Sequence, residues 1–163
     1  MQNRTIVTLG VVALLFVGGA FVFLAFFAPE QSTRAGTAEA ATLSPNATVL
    51  KAGSFEGKAG HDVSGRVELV ELDGVHYLRF VNYEQQQGPD VFVYLTPAED
   101  PDTGAEIADG RKVLIDGGAD GGESTVEGTF LQRIPGDIDP DAFDGVGIWC
   151  DRFRTPFGAA TLR

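Results

Sequence analysis

Three side chains in this sequence carry chemistry that a small domain could use: the single cysteine, Cys150, and the two histidines, His61 and His76. One thiol cannot form an intramolecular disulfide, and an iron–sulfur cluster needs more of them. A cysteine with two histidines equals the trigonal ligand set of a blue-copper site. Such sites usually draw cysteine, histidine and methionine from one loop, yet nothing after Cys150 is His or Met, and Met1 is the only methionine. The spacing therefore argues against a cupredoxin. Without a Cys-x-x-Cys-His segment any haem would be noncovalent, held through Cys150 or His61. A Cys/His zinc site would need Asp or Glu to complete it.

Other metal and catalytic patterns fail on inspection. Asp137, Asp139 and Asp141 mimic the first odd positions of an EF-hand loop, but Ala142 stands where glycine is required and Ile148 where the closing glutamate belongs. No Gly-x-Ser-x-Gly elbow, phosphate loop or His-Glu-x-x-His is present, so a hydrolase is not indicated.

The elements that position these residues are strands. Val49 to Arg163 reads as short apolar runs separated by Gly, Pro and Asp clusters, with no useful amphipathic helical run. The expected fold class is all-β, an antiparallel β-sandwich of about eight short strands, preceded by one N-terminal transmembrane helix. The clearest hairpin is Gly65–Leu72, then Asp73-Gly74, then Val75–Glu84, where Asp-Gly suits a two-residue type I′ turn. Val67 and Leu69 share one parity and Val70 and Leu72 the other, which predicts a bulge near Leu69. Asp90–Thr96 is apolar on both parities and fits a central strand.

Cys150 shares a parity with Val146 and Ile148, while Gly147, Trp149 and Asp151 take the other face, so the thiol is expected to point inward. A buried free cysteine is commonly just a small hydrophobe. A reactive one would need its pKa lowered by a cation or histidine, for which Arg152, Arg154 and His61 are the candidates. His76 has the inward parity of Leu78 and Phe80 and reads as a packed or edge histidine; His61, among glycines, fits a turn as well as a ligand position. Trp149, Phe153 and Phe157 could line a ligand surface, but aromatic residues on closing strands are expected to fill the core. The segments Ala98–Gly110 and Asp116–Ser124, acidic and glycine-rich, are expected to be solvated loops.

Ahead of the domain, Thr5–Ala28 carries no charge, and as a helix its length of about 36 Å would cross a bilayer. The expected division is a membrane anchor over 1–28, a flexible linker over 29–48 and a β domain over 49–163. Arg4 and Glu30 favour the N-terminus inside and the domain outside the cell membrane, and Asn46-Ala47-Thr48 is a glycosylation sequon on that outer side. The chain has 23 acidic and 12 Lys or Arg residues, a formal net charge of −11. That charge repels phosphate backbones, so no nucleic-acid partner is expected. The whole excess lies beyond residue 40, which suggests a salt-loving host such as a haloarchaeon.

Four stretches in order resemble the DM-thirteen domain, a small secreted or membrane-anchored β domain also found beside DOMON domains. They are Gly53–Leu69, Tyr77–Leu95 with its Gly88-Pro89-Asp90, Gly128–Pro135 and Val146–Leu162. In the last, Ile148-Trp149-Cys150, Phe153 and Phe157-Gly158-Ala159 match the closing strands of the family. The resemblance implies an electron-transfer role centred on Cys150, as a bare thiol or holding a group such as haem, with His61 the family-like histidine. It leaves the identity of any cofactor open, noncovalent haem and a metal included. The expected protein is a redox carrier with a redox-protein partner, or else a non-redox surface module, rather than a turnover enzyme. Its membrane contact would be lipid along Thr5–Ala28.

Overall fold

The computed structural model describes residues 31–34 and 46–163. The strands are β1 (Thr33–Arg34), β2 (Ala47–Ser54), β3 (Glu56–Gly57), β4 (Val63–Leu72), β5 (Val75–Gln85), β6 (Val91–Thr96), β7 (Arg111–Val113), β8 (Val126–Arg133), β9 (Gly145–Cys150) and β10 (Thr155–Thr161), with one short helix, α1 (Gly104–Ala108), between β6 and β7. Two five-stranded sheets have the orders β1-β8-β5-β4-β2 and β3-β10-β9-β6-β7. All pairings are antiparallel except the two-residue parallel pairing of β1 with β8. The sandwich is thus the expected fold with ten strands rather than about eight, because very short edge strands leave little sequence signal. β1 and the first residues of β2 fall in the stretch read as a linker. Among the described residues no helix is long and apolar enough to cross a membrane, and the anchor expected over Thr5–Ala28 lies outside them.

Alternation decides what lies between the sheets. Val67, Leu69, Leu78, Phe80 and Phe130 from the first sheet meet Val91, Val93, Leu95, Val146, Ile148 and Cys150 from the second in one core. Phe80 stacks on Phe130 at 4.6 Å and meets Tyr83 edge-on at 5.0 Å. Tyr83 joins Phe80 inside despite its opposite parity because the β5 register against β8 shifts between them, at Asn82 with φ 48°. Facing that shift, Gly65 has φ 103°, and a Cβ there would lie 2.6 Å from the Asn82 carbonyl oxygen, so only glycine fits.

The Asp73-Gly74 turn forms as expected, with φ 50° and 76° and Leu72 paired to Val75. The bulge expected near Leu69 does not lie in β4. β4 pairs continuously with β5 from Arg66 to Leu72, and the register instead shifts in β2, between Val49 and Lys51, opposite Val70 and Leu69. Val70 is buried on the far face of the sheet, so the change of pattern reflects two covered faces rather than a kink. β6 lies between β9 and β7 and is the internal strand its composition implied.

The two acidic segments are structured, contrary to expectation. Thr103 and Glu106 form a reciprocal capping box on α1, and Ile107 is buried. At the end of the other segment Glu123 and Ser124, and Thr125 just after it, are each 1% exposed, and the Ser124 N–H donates to the Val91 carbonyl. Acidic composition predicted solvation, but local caps and contacts with β6 bind both segments to the second sheet.

Candidate functional site

Cys150 ends β9, between Val91 of β6 and Thr155 of β10, and is fully buried with Val146 and Ile148 on the core side. Its thiol donates to the Pro89 carbonyl at 3.2 Å and accepts from the Phe153 N–H at 3.4 Å. The same two segments are joined twice more: the Asp151 N–H donates to the Asp90 carbonyl at 2.9 Å, and Arg152 Nε donates to Asp90 Oδ2 at 2.6 Å. The Gly88-Pro89-Asp90 turn is therefore fastened to the hairpin that follows Cys150.

Burial pushes the Cys150 thiol pKa up; the Phe153 and Arg152 amides pull it down, and the Asp90 and Asp151 carboxylates push it up again. The net direction is upward, so the thiol is neutral near pH 7. Arg152 interacts electrostatically with the sulfur, but its charge is shared with a carboxylate. Arg152 is held by Asp90, the Arg154 guanidinium lies against Gly104 on the other side of β9, and His61 lies elsewhere.

His61 closes a tight turn after β3. Ala59 and Gly60 have φ 51° and 81°, and the His61 N–H donates to the Lys58 carbonyl at 2.9 Å. That is a type I′ turn, the local role expected for a residue among glycines. Its ring stacks on Phe157 at 3.7 Å and 8° from parallel, and its Nδ1 is buried with no hydrogen-bond partner. Phe157 is displaced from the β9 ladder by the register shift between Pro156 and Gly158. It is hemmed in by Gly88, where a Cβ would stand 2.8 Å from Phe157 Cζ. Cys150 and His61 are thus not bonded to one another; they flank the Gly88 turn and Phe157.

An open cleft of about 750 Å³ beside His61 is lined by Asp62, Ser64, Glu84, Gln86 and Glu127. Cys150 lines neither this cleft nor a second of about 460 Å³ on the outer face of the second sheet. Among the described residues no group of three or more His, Cys, Asp or Glu is placed to hold a metal. The packed surroundings of Cys150 do not fit a haem, because a ligating sulfur needs a cavity on its open side and here a carbonyl and core side chains occupy it. His76 Nε2 lies 3.8 Å from Glu71 Oε2 at the surface. Asp139 caps a turn of 3₁₀ helix at Pro140–Ala142 and Asp137 binds Arg111, which gives two of the EF-hand-like aspartates structural partners.

Trp149 and Phe157 are buried as expected, but Phe153 is 55% exposed at the tip of the β9–β10 hairpin, since a turn residue has no facing sheet to cover it. Trp149 packs with Tyr94 and Ile107 in a separate small cluster under α1. Sequence reasoning missed that cluster; the Thr103-x-x-Glu106 pattern is the signal that could have found the helix over it.

A small β-sandwich whose closing strands enclose one thiol beneath a Gly-Pro-Asp turn is the class that the fold and site define. The family model described as electron transfer DM13 matches residues 54–162, more than half of the chain, and the chain belongs to that family. Comparisons with curated proteins and with solved structures give no match.

Proposed function

We propose that the chain is a membrane-tethered, extracytoplasmic electron-transfer domain whose operative group is Cys150. Family membership supports the electron-transfer role, and the uncharged run Thr5–Ala28 supports the tether. The observation that carries the cysteine assignment is the fastening of the family-like Gly88-Pro89-Asp90 turn onto the thiol and its hairpin. A neutral, enclosed thiol resists disulfide exchange, which needs an accessible thiolate. His61 acts at a distance, by fixing Phe157 against the Gly88 turn.

A redox titration of the full chain purified from its native membrane, followed by absorption spectroscopy and metal analysis, tests this. A redox-active signal that disappears in Cys150→Ala is expected. Absence of any redox-active signal that depends on Cys150 would remove the proposal. External protease should digest the domain on intact cells, and protection would overturn the orientation.

The second reading is a non-redox surface module that binds a partner. The exposed Phe153 and the open cleft beside His61 favour it. A redox-silent protein that still binds cells or surface material would decide for it.

A further inference from the structure

The cleft of about 460 Å³ on the outer face of the second sheet lies between α1, β7 and the β9–β10 hairpin. Its aromatic wall is the cluster of Trp149 and Tyr94 with Ile107. The Arg154 guanidinium borders the same space: a Cβ placed on Gly104 would lie 3.1 Å from Arg154 Nη2 and 3.7 Å from Trp149 Cζ2. Glycine at 104 therefore lets the guanidinium lie close to this wall, where any side chain would crowd it.

Charge distinguishes this cleft from the rest of the domain. Asp and Glu outnumber Lys and Arg by 23 to 12 in the chain, and among residues 46–163 only Arg133 and Arg154 have a cationic side chain without an ion pair. The other charges at the cleft are already satisfied. Lys112 binds Asp151 at 2.6 Å, Arg111 binds Asp137 at 2.6 Å, and the Tyr94 hydroxyl donates to Asp151 at 2.8 Å. Arg154 is left as a cation beside an aromatic wall, held there although φ 52° is unfavourable for a side-chain-bearing residue.

We infer that this cleft binds a planar organic anion, its acidic group paired with Arg154 and its ring system against Trp149 and Tyr94. A guanidinium presents a planar fork of donors suited to carboxylate or sulfonate oxygens, and ligand pockets of this size commonly combine aromatic walls with a few fixed polar groups. The acidic remainder of the domain disfavours anions over most of its surface. Cys150 faces the opposite side of β9, so the site stands whether or not the thiol carries electrons.

Trp149 is the only tryptophan, so its fluorescence reports on this cleft alone. The full chain in detergent is titrated with anthraquinone sulfonate, and with the uncharged hydroxymethyl anthraquinone for comparison. Saturable quenching by the sulfonate is expected, weakened about tenfold or more by Arg154→Gln, as loss of a charge-assisted pair implies. Arg133→Gln should leave it unchanged and the uncharged analogue should bind more weakly. An unchanged Trp149 emission maximum shows that the variant is folded. Gly104→Leu, which crowds the Arg154 guanidinium and keeps its charge, should abolish saturation. Linear, unsaturable quenching of the wild type, or equal affinity in both arginine variants, would overturn the inference.

Discussion

The ring of His61 lies flat on that of Phe157, 3.7 Å between centroids, and this pair joins the turn after β3 to the irregular start of β10. Phe157 is 4% exposed, so Phe157→Ala should cost about 3 to 5 kcal/mol of stability. His61→Ala should cost less, because its ring is only partly buried. A double-mutant cycle in urea should give a coupling of about 0.5 to 1.5 kcal/mol between the two rings. A coupling near zero would mean that the rings are neighbours without energetic consequence.

The pKa of Cys150 is raised by burial, and the sign of the resulting pH dependence follows. Between the unfolded and the higher folded pKa the unfolded chain has lost its thiol proton while the native chain keeps it. The stabilisation is thus complete below the unfolded value and lost as pH rises through the folded one. Unfolding free energy should therefore fall above about pH 8.5, and the first part of that fall should flatten in Cys150→Ala. Tyr94, whose pKa is also raised by burial and by Asp151, adds a loss of the same sign at higher pH that the cysteine variant retains. Denaturation midpoints across this range check both.

Gly88→Ala places a methyl group 2.8 Å from Phe157 Cζ. Overpacking of this kind costs about 1 to 3 kcal/mol. Because the same turn carries the Pro89 acceptor, the variant should also expose the thiol. Faster reaction of Cys150 with a thiol reagent in native conditions is the expected readout, and an unchanged rate would show that the turn does not guard the sulfur.

The acidic excess should make salt a stabiliser. At 0.15 M salt the Debye length is about 8 Å, and at 1 M it is about 3 Å, so self-repulsion is largely removed at molar salt. The urea midpoint of residues 29–163 should rise steeply from about 0.1 to 2 M NaCl. Indifference to salt would favour a localised acidic docking face over a salt-adapted surface.

Much of the fold was legible because it is local. Alternation alone put Val146, Ile148 and Cys150 inside and Trp149 on the other face, since side-chain direction in a strand follows from backbone geometry. The Asp73-Gly74 turn was equally local. The two acidic segments misled, because composition reports average solvation and not the specific cap of Thr103 on Glu106 or the burial of Glu123.

The sequence by itself determined that the domain is a β-sandwich with one inward thiol, because period and parity need no knowledge of distant partners. Only the tertiary structure decided what surrounds that thiol. Pro89 and Cys150 are 61 residues apart in the chain, and Arg154 could have served the sulfur or the outer cleft with equal sense from its position in sequence. Pairing β6 with β9 settled both: it brought the Gly88–Asp90 turn over the sulfur, while the hairpin directed Arg154 to Trp149. Such choices depend on contacts between strands distant in sequence, whose register is fixed by packing of the whole sandwich.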